Sequence, residues 1–280
     1  MSATVPTAVH RVAALRYAER ETTLHHGYHR WPSYGEDDGP LGMAYYLWVI
    51  QPADGDGGDG ERGAGPIVVD SGFDPVLGER MGRRCLIPPV DALARFGVDP
   101  ASVRRLVLTH LHYDHIGNVD AFPAARISVA RRELEFWTTD PVAAREQFAE
   151  HTDPAGLKAV RRAAAEGRVD LIDDEAEIAP GVRAVVVGGH SPGQLVLEIA
   201  IPGGRRLVLA SDAVHYDDEL ARERPFAVFS DLPGVYRAYH TVRTLAGADG
   251  VIVPGHDPSV MERFPALPGA ASTFGVELTA

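Results

Sequence analysis

Apolar residues along this 280-residue chain come in short runs that end in polar clusters. Val9 to Ala18 alternates in the β-branched manner of an opening strand, and Tyr45-Tyr46-Leu47-Trp48-Val49-Ile50 is a second, more continuous one. Ile67-Val68-Val69 ends at Asp70-Ser71-Gly72-Phe73-Asp74, and Arg105–Leu108 ends at Thr109. Later runs of the same kind are Ile127–Val129, Val169–Ile172, Val182–Val187, Leu195–Ile201, Arg206–Leu209 and Val251–Val253. Pro202-Gly203-Gly204 reads as a hairpin turn. Helical spacing runs from Val90 to a stop at Gly97, from Arg131 towards Trp137, from Gly234 to Leu245 and over Ser259–Phe264. Val142–Glu150 and Ala155–Glu166 read as a polar-faced helical insert at about 140–167. Residues 54–65, rich in Gly and Asp, cannot bury enough apolar area to order themselves and read as a flexible hairpin tip. Two groups of strands, each interleaved with helices, predict an α/β fold of two sheets packed face to face with helices outside. No repeat or internal boundary divides 1–280, so one domain is expected.

Composition narrows this picture only a little. An apolar content of 45% and a charged content of 24% are ordinary for a water-soluble domain. No apolar stretch approaches the roughly 18–20 residues that cross a bilayer, and Met1-Ser-Ala-Thr-Val-Pro lacks the basic and apolar parts of a secretory leader. Cys85 is alone, which excludes an internal disulfide and a thiolate-rich zinc site within one chain. A cytoplasmic enzyme, monomeric or homodimeric, is expected. The formal charge of −12 argues against nucleic acid or an anionic membrane as partner and leaves a small molecule as the expected one.

Where the histidines stand changes the picture most. Thr109 to Asn118 places His110, His112, Asp114 and His115 directly behind a strand. Three later strands also end in ligand-type residues, at Gly188-Gly189-His190, Ser211-Asp212 and Pro254-Gly255-His256. Glycines beside His190 and His256 let the backbone approach closely. A lone His or Asp after a strand is usually a turn residue or a cap. Imidazoles packed as densely as 110–115 would repel when charged and waste hydrogen bonds when neutral, so this cluster points to a metal site.

These motifs together, with Gly-His-Ser-Pro-Gly at 189–193, resemble the metallo-β-lactamase superfamily from about Tyr45 to His256. The resemblance implies a four-layer αβ/βα sandwich, two mixed β-sheets flanked by helices, with a binuclear site on one edge. Carried over by position, His110, His112 and His190 would hold one divalent ion and Asp114, His115 and His256 a second, with Asp212 bridging. Five imidazoles and two carboxylates suit zinc, and also accept manganese, iron or cobalt. A shared hydroxide would be the nucleophile, Asp114 would orient it and shuttle its proton, and Asp70 would steady the ligand loop from behind.

Within that superfamily the chain is most similar to the N-acyl homoserine lactonases, the quorum-quenching branch. All seven ligand positions are filled, the length leaves no room for a flavin domain or nuclease cap, and Ser211-Asp212-Ala213-Val214-His215-Tyr216 resembles the lactonases' Asp-Ala segment with its catalytic tyrosine. That tyrosine stands three residues after the bridging aspartate in the lactonases, whereas here the position is His215 and the tyrosine is Tyr216. Either residue would assist the departing alkoxide, and Tyr216 is favoured. His29, Trp31, Tyr34, Met43, Phe226 and Phe229 are candidates for the pocket wall, with plain core packing as the even alternative. A thioesterase, esterase or phosphotriesterase is the main rival. The end of the chain, from Phe264, lacks the basic patch expected of a glutathione thioesterase. A β-lactamase or a non-hydrolytic metal or redox protein ranks lower.

Overall fold

The computed structural model describes residues 8–53 and 65–280; the hairpin tip expected at 54–65 lies, except for Gly65, outside the described residues. Strands β1 (His10–Thr23), β2 (Pro40–Pro52), β3 (Ile67–Val69), β4 (Arg84–Cys85), β5 (Arg105–Val107), β6 (Arg126–Ala130) and β7 (Val169–Ile172) build one sheet. Strands β8 (Glu175–Ala179), β9 (Val182–Val186), β10 (Leu195–Ala200), β11 (Arg206–Ser211) and β12 (Val251–Pro254) build the other. A last strand, β13 (Gly275–Glu277), returns to the edge of the first sheet beside β1. The spatial orders are β13-β1-β2-β3-β5-β6-β7, with β4 beside β1, and β12-β11-β10-β9-β8.

Both sheets are mixed. β3, β5, β6 and β7 pair in parallel, and so do β11 and β12. The remaining neighbours, β13–β1–β2–β3, β1–β4 and β8–β9–β10–β11, pair antiparallel. Alternation along the strands sends one set of side chains between the sheets, where Trp48, Ile50 and Val69 meet Leu195, Leu197 and Leu209. The other set faces outward and is still buried, because helices cover it. Leu15, Leu47, Leu106 and Ile127 pack against the helices Pro89–Phe96 and Pro154–Ala165, through Leu93, Leu157 and Val160. Val196 and Val208 pack against Val235, Ala238 and Val242 of the helix Leu232–Ala246. Burial on both faces explains why these strands read as continuous apolar runs. The result is helix, sheet, sheet, helix: the αβ/βα sandwich expected. No helix among the described residues is long and apolar enough to cross a membrane.

Several boundaries differ from the sequence reading for physical reasons. β1 continues past Ala18 to Thr23 because its charged end pairs with β2 as far as Pro40. The expected helix Val142–Glu150 is a 3₁₀ turn, Pro141–Ala144, and one helical turn, Glu146–Ala149, restarted after Arg145 adopts an extended conformation. β8, Glu-Ala-Glu-Ile-Ala, is an edge strand with exposed carboxylates, too short and too polar to read as an apolar run.

Gly117 ends the ligand-bearing turn Tyr113–Ile116 where the chain presses on the loop after β3. A Cβ there would sit 2.3 Å from the Asp74 nitrogen and 2.7 Å from the Phe73 Cα, both backbone atoms. Gly117→Ala is therefore expected to destabilise the fold by about 1–3 kcal/mol, as overpacking does, read as a lower denaturation midpoint in urea; an unchanged midpoint would show that the two loops can part freely.

Candidate metal centre

The sheets bring four strand ends together along one edge. β5 delivers His110 and His112 on an extended loop and then the turn Tyr113–Ile116 with Asp114 and His115. The loop after β9 delivers His190, the end of β11 delivers Asp212, and the end of β12 delivers His256. Ser211, at φ 46°, takes the left-handed conformation that re-aims the chain just before Asp212. Gly255 leaves room for that turn, since a Cβ on it would lie 2.7 Å from the Ser211 carbonyl.

Donor atoms converge within 4.8 Å of one another in two main groups, His110, His112 and His190 in one and Asp114, His115, Asp212 and His256 in the other, with a third, overlapping group of His190, Asp212 and His215 beside them. Asp212 belongs to both by distance. Its Oδ2 lies 3.4 Å from His190 Nε2, 3.9 Å from His110 Nε2 and 3.1 Å from His256 Nε2, and its Oδ1 lies 3.4 Å from His115 Nε2. Asp114 Oδ2 stands 3.6 Å from both His115 Nε2 and His256 Nε2. All seven side chains are buried.

Hydrogen bonding at the far side of the rings decides what the near side can do. His190 Nδ1 donates to the Val228 carbonyl at 2.9 Å, and His256 Nδ1 donates to the Ala44 carbonyl at 2.8 Å. A carbonyl only accepts, so a proton stands on each Nδ1, and each Nε2 is the ring nitrogen turned into the cluster, where that of His256 meets Asp212 Oδ2 at 3.1 Å. His190 Nε2 faces His112 Nδ1 at 2.9 Å, while the buried Nε2 atoms of His110 and His115 have no hydrogen-bond partner. Inward ring nitrogens, two of them orphaned, and two carboxylates fit a pair of divalent cations and waste polar groups without them.

Electrostatics agrees with this division. Burial, aided by neighbouring imidazoles, holds His110, His112 and His190 well below the ordinary histidine range, so they are neutral donors. Burial opposes charge on Asp212 as well, but His256, His115, His215 and His110 outweigh it and hold the carboxyl well below its usual range. Around His115 burial is likewise overcome, by Asp70, Asp114 and Asp212.

Three buried carboxylates grip the loops from behind. Asp70, itself at φ 63°, accepts from Thr109 N and Thr109 Oγ1 at 2.8 Å and from His115 Nδ1 at 2.7 Å. Glu133 accepts from Leu111 N at 2.9 Å, Trp137 Nε1 at 2.7 Å, Gly193 N at 2.7 Å and the Ser191 hydroxyl, which ties the His110–His112 loop to the His190 loop. Glu219 accepts from His215 N at 2.8 Å, Tyr216 N at 3.1 Å and Tyr239 Oη at 2.6 Å. Glu133 and Glu219 escape a sequence reading, because Arg-Arg-Glu-Leu-Glu and Asp-Asp-Glu-Leu look like solvated helix faces.

A cavity of about 130 Å³ opens over the cluster. His215, Met43 and Phe226 are on its wall. The His215 ring stacks on Phe226 with centroids 3.9 Å apart, its Nε2 lies 3.3 Å from Asp212 Oδ2, and its Nδ1 lies 3.3 Å from Glu219 Oε1. Burial works against charge on this ring, yet Glu219 and Asp212 together push its pKa up to about 9. Tyr216 turns the other way. Its ring packs with Tyr28 and Trp31, and its hydroxyl is buried with no hydrogen-bond partner. Trp31 and Tyr34 pack together behind that cluster, and His29 meets Phe229 edge to face, so these four sit outside the cavity wall. Arg20, Arg83 and His151 are on the wall without any signal in the sequence, the last brought in by the helical insert.

Known proteins give the same reading of the architecture. Residues 59–256 match the family model of the metallo-beta-lactamase superfamily. The N-acyl homoserine lactonase AttM of Azorhizobium caulinodans is 31% identical over 198 residues, 70% of this chain and 71% of that protein. Among solved structures, a quorum-quenching N-acyl homoserine lactone lactonase superposes with a TM-score of 0.70 at 21% identity, over 91% of this chain and 95% of its own. AidC, a dizinc quorum-quenching lactonase crystallised with a homoserine product, gives a TM-score of 0.68 at 18% identity, over 91% of this chain and 90% of its own. By motif, fold and family model alike, this chain belongs to the metallo-beta-lactamase superfamily.

Proposed function

We propose that this protein is a metal-dependent hydrolase that opens lactone rings, using two divalent ions, zinc in the first instance. The observation that carries this is the convergence of seven buried donors in two groups joined by Asp212. Relatives named N-acyl homoserine lactonases and a dizinc lactonase of the same fold support the reaction class. His110, His112 and His190 would hold one ion and Asp114, His115 and His256 the other, with Asp212 between them. Bound there, the pair would supply Lewis acidity for an ester carbonyl and make a water a nucleophile at neutral pH.

The remaining steps belong to side chains of the chain. Asp114 reaches the cavity and is placed to take the proton of the attacking water. When the ring C–O bond breaks, the departing alkoxide needs a proton or a strong hydrogen bond. His215 is the side chain positioned for this, since it stands on the cavity wall while Tyr216 does not. Glu219 holds its backbone and faces its Nδ1, which leaves Nε2 directed toward Asp212 and the cluster. Asp70 and Glu133 act through the ligand loops and touch no substrate. A lone cysteine supports a cytoplasmic setting.

Elemental analysis of gently purified protein should give close to two zinc-type ions per chain, falling towards one or fewer in Asp212→Ala; a value near zero in the parent would defeat the binuclear reading. His215→Ala should lower kcat on a lactone by about 10²–10⁴-fold, the usual worth of a general acid, with metal content retained. Tyr216→Phe removes a hydroxyl that bonds nothing and should change kcat by less than about threefold. The reverse ranking would return the role to the tyrosine. In a pH-stat comparison, lactones should be cleaved faster than a glutathione thioester or a phosphotriester, and a large preference for either rival would place the enzyme in another branch.

A further inference from the structure

The cavity over the ligand cluster is lined by two arginines as well as by ligand-type residues. Arg20, near the end of β1, and Arg83, in the turn before β4, both face the same cavity of about 130 Å³ as His112, Asp114 and His256. By comparison with the share of liquid volume held by one water, that space is worth roughly four water molecules. Two guanidinium groups lining so small a space can reach a ligand whose other end lies against the cluster.

Neither group is used up by the protein. Chain-wide, Asp and Glu outnumber Lys and Arg by 39 to 27, and the surface arginines commonly find carboxylates, as Arg126 does with Asp170 and Arg183 with Glu198. Arg20 and Arg83 have no carboxylate within ion-pair distance among the described residues. The acid next to Arg20, Glu19, is taken by Arg16 and Arg84. The Arg20 side chain has no hydrogen-bond partner among the described residues, and its strand partner across the sheet is Met43, also on the wall. Arg83 is held in place without being neutralised. Its Nε donates to the Tyr113 hydroxyl at 2.8 Å, its Nη1 donates to the Met81 carbonyl, and its guanidinium lies 5.4 Å from the centre of the Tyr113 ring. That leaves the Nη2 edge to bind something else. Apolar side chains on the wall are few, with Met43, Phe226 and Val228 the aliphatic and phenyl members, which suits a short substrate better than a long acyl chain.

We infer that the ester opened at this site carries a carboxylate, and that Arg20 and Arg83 bind it while the scissile carbonyl lies against the ligand cluster. The inference rests on the lactonase reading for the reaction and on the two arginines alone for the anion. Planar, charge-assisted pairing of a guanidinium with a carboxylate is strong and directional, so such a pair selects among substrates as well as binding them. Arg20 and Arg83 are specificity-determining residues, since they touch the substrate away from the bond that breaks.

A matched pair of probes isolates the charge: γ-butyrolactone-γ-carboxylate and the corresponding carboxamide, which share one ring and nearly one shape. Opening the first consumes one water, breaks the ring C–O bond, protonates the alkoxide and releases one proton, giving α-hydroxyglutarate. With zinc-loaded protein in a pH-stat, kcat/KM for the carboxylate should exceed that for the carboxamide by at least about tenfold, the scale of one charge-assisted contact. Arg20→Gln and Arg83→Gln should each bring the ratio down towards one, and Arg20→Lys should keep much of it. Calorimetric binding of α-hydroxyglutarate to the zinc-loaded protein gives a second readout, at least about tenfold tighter to the parent than to Arg20→Gln. If both lactones open equally well, or the variants lose both activities in parallel, the carboxylate site is refuted while the lactonase reading stands. If neither lactone opens but α-hydroxyglutarate still binds in an Arg20-dependent way, the anion site is upheld and the lactonase reading falls.

Discussion

Everything at this site depends on holding several imidazole lone pairs and two carboxylates against one another in a buried space. Left to themselves, such groups would protonate, rotate or draw in water. For three of the five rings the protein prevents this from the outside of the cluster, by holding the far nitrogen with an acceptor. Carbonyls of Ala44 and Val228 do so for His256 and His190, and the Asp70 carboxylate does so for His115. Orientation is therefore built before any ion arrives. Much of the cost of bringing the donors together is met by folding, and the energy of metal binding is correspondingly left for affinity.

Three buried carboxylates make that arrangement rigid. An isolated buried carboxylate is costly, but Asp70, Glu133 and Glu219 each accept at least three hydrogen bonds, many of them from backbone N–H groups. Each one joins segments far apart in the chain. Asp70 couples the end of β3 to the end of β5, Glu133 couples the β5 loop to the β9 loop, and Glu219 couples the segment after β11 to the helix Leu232–Ala246. The sandwich supplies the edge on which four strand ends meet, and these acids set the spacing between the loops.

Legibility in the sequence followed burial and locality. The strands sealed on both faces, such as Ile67–Val69 and Leu195–Ala200, declare themselves by unbroken apolar runs. The dense group from His110 to His115 is legible because its residues are sequence neighbours and have no good structural use together. What stayed hidden depends on long-range partners. Glu133 is one of several acids on a helix until Ser191 and Gly193 are brought to it from about sixty residues away, a fold-level closure that no local pattern encodes. β8 and β13 are short strands at sheet edges, with too few residues for a period to show. The choice between His215 and Tyr216 is a matter of one residue of register after β11, where the turn at Ser211 sets which side chain faces the cavity.

The stack of His215 on Phe226 has a bearing on how such an enzyme can change over generations. One face of the His215 ring lies against Phe226, which bounds the cavity, and Glu219 accepts from both backbone N–H groups, at 2.8 Å and 3.4 Å. Under the role proposed for His215, breadth of substrate and power of proton donation are inherited together. A lineage that enlarges the pocket at Phe226 loosens the imidazole in the same step, and can regain activity only through a compensating change nearby. Mutational paths to new substrates on this scaffold are expected to be strongly order-dependent.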